Sequence, residues 1–411
     1  MSQRRDGIMS LRVGRSIHAC WTVFVLGLAC TLGASAEAGF TIIDLGPLGL
    51  GQSGGATGIN AEGGTAGVIN SSGTTSAAQA DPGGGFRLIN TAGLLGVTSS
   101  SSAAINSGGA VTGSFYDGIT KQSHAFLSLG GQAVDIGAAL GGKLQGANSW
   151  GVAINSSGVV LGNAQTNDGS KFVFRSGGGA AAPISLPGGS LVGQAGGLNN
   201  SGTAVGSYIT SLGVSRVFID QAGKPATDLL TSYSVRGFGL NTYGSAINDR
   251  GDVVGSGDFN GQSHAFFASS QGKFADLGVL NGFNSSVAIA INSQGQVVGA
   301  MSNNGSNSRA FLWDQAAGLF DLNSLLGPTV SGDWTLTSAT GINDSDQIAG
   351  QGYFDGQLHG FVLTPAPGSP LFAPSLSVPT PPSASLALGC LVLVGGWLRI
   401  KRGRTAAPAT A

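Results

Sequence analysis

Charged side chains are scarce in this sequence. Asp, Glu, Lys and Arg make up 9% of its 411 residues, against about a quarter in ordinary soluble domains. Glutamate is almost missing, with Glu37 and Glu62 the only two, so an acid–base pair would have to be drawn from aspartates. Cysteine is confined to Cys20, Cys30 and Cys390, in the two terminal apolar stretches. The body between them can form neither a disulfide nor a thiolate metal site. Eight of the 19 basic residues lie at the chain ends, leaving 11 basic against 18 acidic residues between positions 40 and 363. An acidic body without a basic face argues against nucleic acid as a partner, because phosphate binding needs clustered Lys and Arg. No stretch of that body sustains a 3.6-residue apolar period over three turns, so helices should be scarce. A phosphate-cradling loop and a His-x-x-x-His zinc pair are absent as well.

What is abundant is glycine, at 72 residues, and it is placed regularly. A phrase of the form Ile-Asn-x-x-Gly-x-x-x-Gly returns seven times, with Leu198 once in place of Ile. Its asparagines are Asn60, Asn106, Asn155, Asn199, Asn248, Asn292 and Asn343. The glycine seven residues on is always present, as Gly67, Gly113, Gly162, Gly206, Gly255, Gly299 and Gly350. The glycine three residues on occurs in six copies, with Asp346 in the seventh. A unit of about 20–50 residues signals a propeller or a solenoid. Asn bonding its own backbone, followed by Gly accepting positive φ, suits a tight reversal.

Two further phrases complete the unit. His124-Ala-Phe126 and His264-Ala-Phe266 have degenerate counterparts around Phe174, Phe218, Phe311 and Phe361, while Gln79 takes the place in the first unit. An Asp-Leu-Gly phrase follows, at Asp135, Asp228, Asp276 and Asp321, with a spare copy at residues 41–46, ahead of the first unit. Each unit thus reads as four short apolar runs rich in Val, Ile, Leu and Phe, bounded by turn residues, which is the strand-and-turn pattern. The seventh unit lacks its fourth run. Pairing residues 41–46 with residues 358–363 would supply it and remove the open sheet edges. The expected fold is therefore an all-β, seven-bladed propeller over residues 39–363, closed by its N-terminal strand, with a β-solenoid as the alternative.

The ends read differently. Residues 1–38 run from arginines through an apolar stretch to Ala34-Ser-Ala36 and Ala36-Glu-Ala38, the order of a secretory signal peptide. Residues 364–383 hold seven of the 14 prolines and form a stiff spacer. Residues 384–398 are an apolar helix candidate, short against the ~20 residues of a comfortable membrane span. The basic tail 399–411 then falls on the cytoplasmic side by the positive-inside rule.

The Ile-Asn-x-x-Gly, His-Ala-Phe and Asp-Leu-Gly phrases resemble the HAF family of bacterial extracellular repeats over residues 40–363. Val378-Pro-Thr380-Pro381, the apolar run and the basic cluster resemble a PEP-CTERM sorting signal, with Thr380 where that family usually has Glu. These resemblances imply a protein exported to the cell surface or extracellular matrix, with a membrane and a sorting peptidase as partners; they do not imply a catalytic activity.

Candidate chemistry is sparse. The equivalent places of His124, His264 and His359 argue for blade-stabilising bonds to the Asp of the neighbouring fourth strand, as do Asp44, Asp135, Asp228, Asp276 and Asp321. No cofactor is expected beyond Ca²⁺ at Asp344-Ser-Asp346, where no full loop with a bidentate acid follows. The repeat varies in length between the fourth strand and the next Asn, while the Asn-to-Gly turn never changes length, and such variation maps to loops on one face, often the binding face. Trp150, Tyr233, Tyr243, Phe283 and Trp334 stand near it and are the candidate binding residues for a surface glycan or protein. The expected role is an exported interaction scaffold; the competing readings are a secreted propeller enzyme acting on glycans and a β-solenoid adhesin.

Overall fold

The computed structural model describes residues 39–46, 52–177, 181–233, 238–303, 307–327 and 333–366. The expected signal peptide, most of the proline-rich spacer, the apolar helix and the basic tail lie outside these residues. Every named strand falls into one of seven four-stranded antiparallel sheets. Six sheets run in sequence order, each from one repeat. The seventh consists of Trp334–Ile342, Ile348–Phe354, Gln357–Pro365 and, from the other end of the chain, Phe40–Asp44. Apolar cores lie between neighbouring sheets, and one joins Leu45, Ala349 and Val362 of the last blade to Ala56, Ile69 and Phe86 of the first. The fold is a closed seven-bladed β-propeller. Helical structure among the described residues is limited to four 3₁₀ turns, the longest of four residues.

The closing strand pairs as the sequence predicts, with Ile42 opposite Leu363 and Asp44 opposite Phe361. Fourth strands elsewhere vary in length, with four or five residues in blades 2, 5 and 6. In blades 1, 3 and 4 they have only two, at Arg87–Leu88, Ala182–Pro183 and Thr227–Asp228.

Two devices recur in each blade. The Asn-x-x-Gly turn joins the first strand to the second, and its third residue after Asn takes positive φ, from 74° at Gly109 to 89° at Gly295. Asp346 is forced into the same region at 59°. The glycine seven after Asn lies mid-strand, opposite the third-strand Phe: Gly113 faces Phe126, Gly206 faces Phe218 and Gly299 faces Phe311. A Cβ on Gly299 would overlap the Val287 carbonyl and stand 2.8 Å from the Phe311 ring, so only glycine lets the ring lie over the second strand. In blade 1 the residue opposite Gly67 is Ala78, not the expected Gln79, and the covering ring comes from Phe86, beyond the strand.

The first strands share a feature invisible in composition. Every one carries a register shift three residues before its Asn, between Ala56 and Gly58, Ser102 and Ala104, Gly151 and Ala153, and likewise through Ala339 and Gly341. The extra residue of such a bulge bends the strand and sharpens its twist. Here the bend comes directly before the turn that meets the next blade.

Candidate functional site

The seven asparagines form a closed belt. Each side-chain Nδ2 donates to the backbone carbonyl of the next Asn round the ring: Asn60 to Asn106 at 3.0 Å, Asn106 to Asn155 at 3.0 Å, Asn155 to Asn199 at 3.4 Å and Asn199 to Asn248 at 3.1 Å. Asn248 continues to Asn292, Asn292 to Asn343, and Asn343 back to Asn60 at 3.0 Å. Each Oδ1 meanwhile accepts the amide N–H four residues on, as from Ala110 to Asn106 at 2.9 Å. All seven side chains are buried. One amide thus fixes its own turn and ties it to the next blade. The self-bonding turn was expected; the bond to the neighbour was not.

The paired His and Asp residues behave as the repeat suggests. His124 Nδ1 lies 2.9 Å from Asp135, His264 Nδ1 3.0 Å from Asp276, and His359 Nδ1 2.9 Å from Asp44, the last pair bridging the two ends of the fold. In blades 4 and 6 arginine takes the histidine's place, Arg216 bonding Asp228 at 3.0 Å and Arg309 standing 3.9 Å from Asp321. Serines six residues before Asn add links between blades, the Ala125 amide donating to Ser149 Oγ at 3.0 Å and the Ala265 amide to Ser286 Oγ at 2.9 Å. Among the described residues no group of three or more His, Cys, Asp or Glu side chains is placed to hold a metal ion. Asp344 Oδ1 instead accepts the Ser293 amide at 2.8 Å. Burial, then the nearby Asp344 and Asp314 carboxylates, raise the Asp346 pKa above the ordinary value.

The first strands surround a central cavity of about 560 Å³. Its wall is mainly small and aliphatic, from residues such as Gly58, Ala104, Ala153, Ala246, Ala290 and Gly341. Tyr243 is the sole ionisable side chain of that lining. A second cavity of about 280 Å³, at the Asn belt, is lined by the asparagines and the residues after them, including Asp249 and Asp344. The two aspartates accept bonds from Asn200 and Ser293.

The five candidate binding residues separate on folding. Trp334 is 6% exposed, stacked on Phe354 at 5.1 Å and edge-on to Phe361, so it belongs to the blade 7 core and presents no surface. Phe283 packs against the core between blades 5 and 6. Tyr233 is half-buried, its hydroxyl donating to the Ser269 carbonyl at 2.8 Å. Tyr243 is 44% exposed and faces the central cavity. Trp150 lines a pocket of about 270 Å³ at its edge, together with Asn163, Gln165, Lys171 and Gln194. Sequence reasoning passed over Lys171 and the two glutamines. The position five residues before each Asn would have shown Gln194, since it carries Trp150, Gln194 and Tyr243 in three successive blades.

No protein-family model and no curated protein sequence matches the chain. Solved structures do resemble it in fold. The β-propeller domain of the Trilobed protease from Pyrococcus furiosus aligns at 9% identity and a TM-score of 0.50, over 76% of this chain and 95% of that one. That domain is described as an open velcro, whereas here the N-terminal strand is hydrogen-bonded into the last blade. A Mycobacterium tuberculosis puromycin-hydrolyzing peptidase aligns at 13% identity and a TM-score of 0.50, over 77% of this chain. This chain spans about half, 51%, of that peptidase's length. TolB of Agrobacterium tumefaciens aligns at 12% identity with a TM-score of 0.42, over 80% of this chain and 99% of that one. At these identities the likeness is one of fold.

Proposed function

We propose that this protein is an exported propeller of the cell surface or extracellular matrix, acting as a binding scaffold and tethered through its C-terminal segment. The observation that carries the scaffold reading is the central cavity, where the wall is small and aliphatic and Tyr243 is the sole ionisable group. Propellers that act on substrates at their axis need acids, bases or charge-stabilising groups there. The aspartates and histidines that the sequence repeats are instead engaged within the blades. Export and tethering rest on the sequence of the ends: basic, apolar and small-residue regions in order at residues 1–38, and proline-rich, apolar and basic regions at residues 364–411.

Mass-spectrometric mapping of the termini of the exported protein, with cell fractionation, tests this reading. It predicts an N-terminus after Ala36 or Ala38 and a protein recovered from the envelope or matrix. An intact N-terminus in a cytoplasmic fraction would end it.

A further inference from the structure

We infer that the arc of the channel formed by blades 3, 4 and 5 binds a sugar ring of an acidic glycan. The inference rests on the scaffold reading above and gives it a place and a ligand class. Among the seven first strands, the position five residues before Asn holds Val287, Ser338, Gly55 and Ser101 in four consecutive blades round the ring, and Trp150, Gln194 and Tyr243 in the other three. Opposite them on the second strands stand Asn163, Ser207 and Ser256. A residue that recurs once per blade serves the blade; this position breaks the repeat, and it does so in one contiguous arc. Gln194 lines both the central cavity and the Trp150 pocket, so the two spaces adjoin. Their volumes, about 560 and 270 Å³, are on the scale of small-ligand sites, about 300–1,000 Å³.

The chemistry of the arc is that of sugar recognition. A pyranose presents a face of C–H groups, weakly positive and apolar, which suits the negative face of an aromatic ring. Its rim of hydroxyls both donates and accepts, as does a side-chain amide. Trp150 and Tyr243 supply two rings, and the amides of Gln194 and Gln165 have no hydrogen-bond partner among the described residues. Exposed Lys171 lines the same pocket and forms no ion pair among the described residues. One unpaired ammonium on a body with net acidic composition selects for a carboxylated sugar. The site also lies where the repeat leaves room. Lys171 begins its third strand, and Trp150 precedes the bulge of its first strand. Both therefore lie toward the face of the second-to-third and fourth-to-first connections, away from the Asn belt.

The test is isothermal titration of the purified exported protein with hexamers of galacturonate and mannuronate, with maltohexaose and decaproline as comparisons. The expected result is binding of an acidic hexamer, weakened at least tenfold by Trp150→Ala or by Tyr243→Ala. Lys171→Gln weakens it severalfold and flattens its salt dependence. Exposed Gln194→Ala gives a variant with little risk to folding and the same direction of change. Val287→Ala, at the same position of blade 6, leaves affinity within twofold. No binding of either acidic hexamer, affinity unchanged in all four arc variants, or binding of decaproline at this arc instead would each overturn the proposal. A surface-located protein that binds no glycan sinks this inference alone, whereas a glycan-binding protein retained in the cytoplasm sinks the export reading alone.

Discussion

At the scale of single residues, each belt asparagine fills three roles with three atoms. Its Oδ1 closes its own turn, its Nδ2 reaches the next blade, and its carbonyl receives the previous blade's amide. Glutamine is too long to hold both side-chain bonds at these distances, and aspartate lacks the donor. Asn106→Ala leaves the Ala110 amide without its acceptor and breaks the bond to Asn155. An unmade bond to a buried donor costs about 1–3 kcal/mol, so urea unfolding of this variant should show a loss of about 2–3 kcal/mol. Asp346 is the opposite case, a residue the belt turn tolerates at a cost. Its φ of 59° belongs to glycine in the other six blades, and its buried Oδ1 has no hydrogen-bond partner among the described residues. Asp346→Gly should stabilise the protein by about 1 kcal/mol. The gain should also depend on pH. An acid whose folded pKa is raised binds its proton more tightly when folded, so the native state is favoured below the ordinary carboxylate pKa and loses that advantage as pH rises through the raised value. The difference between wild type and Asp346→Gly should therefore be larger at pH 7 than at pH 3, as thermal melts at both values would show. Much of this was legible in the sequence, because Asn and positive-φ Gly at fixed spacing have one physical meaning. The bond to the next blade was not, since its acceptor is a backbone carbonyl 44–51 residues away in six blades and 283 in the seventh, and leaves no mark on composition.

At the scale of the strand, the pairing of mid-strand glycine with a third-strand phenylalanine explains why both recur. Gly299→Ala should drive Phe311 or the first strand out of place and cost about 1–3 kcal/mol, the usual penalty of overpacking. Phe311→Ala, which opens a cavity at a fully buried site, should cost about 3–5 kcal/mol. Chemical denaturation of the two variants checks both. Blade 1 shows the limit of reading by spacing: counting from Asn60 arrives at Gln79, but the space over Gly67 is filled by Phe86 from beyond the strand. Trp334 shows another. A tryptophan in a connection of variable length reads as surface, yet the first strand of blade 7 begins at that residue and turns its ring onto Phe354. The bulges three residues before each Asn were illegible for a different reason. They are set by the mutual fit of neighbouring first strands, and the bulged residues, Thr57, Ala103, Val152, Gly196, Ser245, Ile289 and Thr340, share no chemistry.

For the whole molecule, the decisive interaction joins its two ends. Phe40–Asp44 pairs with Gln357–Pro365, Phe40 enters the core between blades 6 and 7, and His359 meets Asp44. The segments lie more than 300 residues apart in sequence, so their meeting is the most entropically demanding contact in the fold. Without this strand the third strand of blade 7 becomes a long, apolar open edge, which invites pairing with another chain. A variant lacking residues 40–44 should form dimers or larger species at micromolar concentration in size-exclusion chromatography, and hydrogen exchange should accelerate first in Gln357–Pro365. A synthetic peptide spanning residues 39–46 should add itself as the missing strand, in the manner of β-augmentation, restoring a monomer and slowing that exchange. A peptide with Asp44 replaced by Ala keeps the backbone ladder but loses the His359 partner, and should rescue less well. A truncated protein that stays monomeric with unchanged exchange would show that the seven Asn links and inter-blade cores hold the ring closed without the strand.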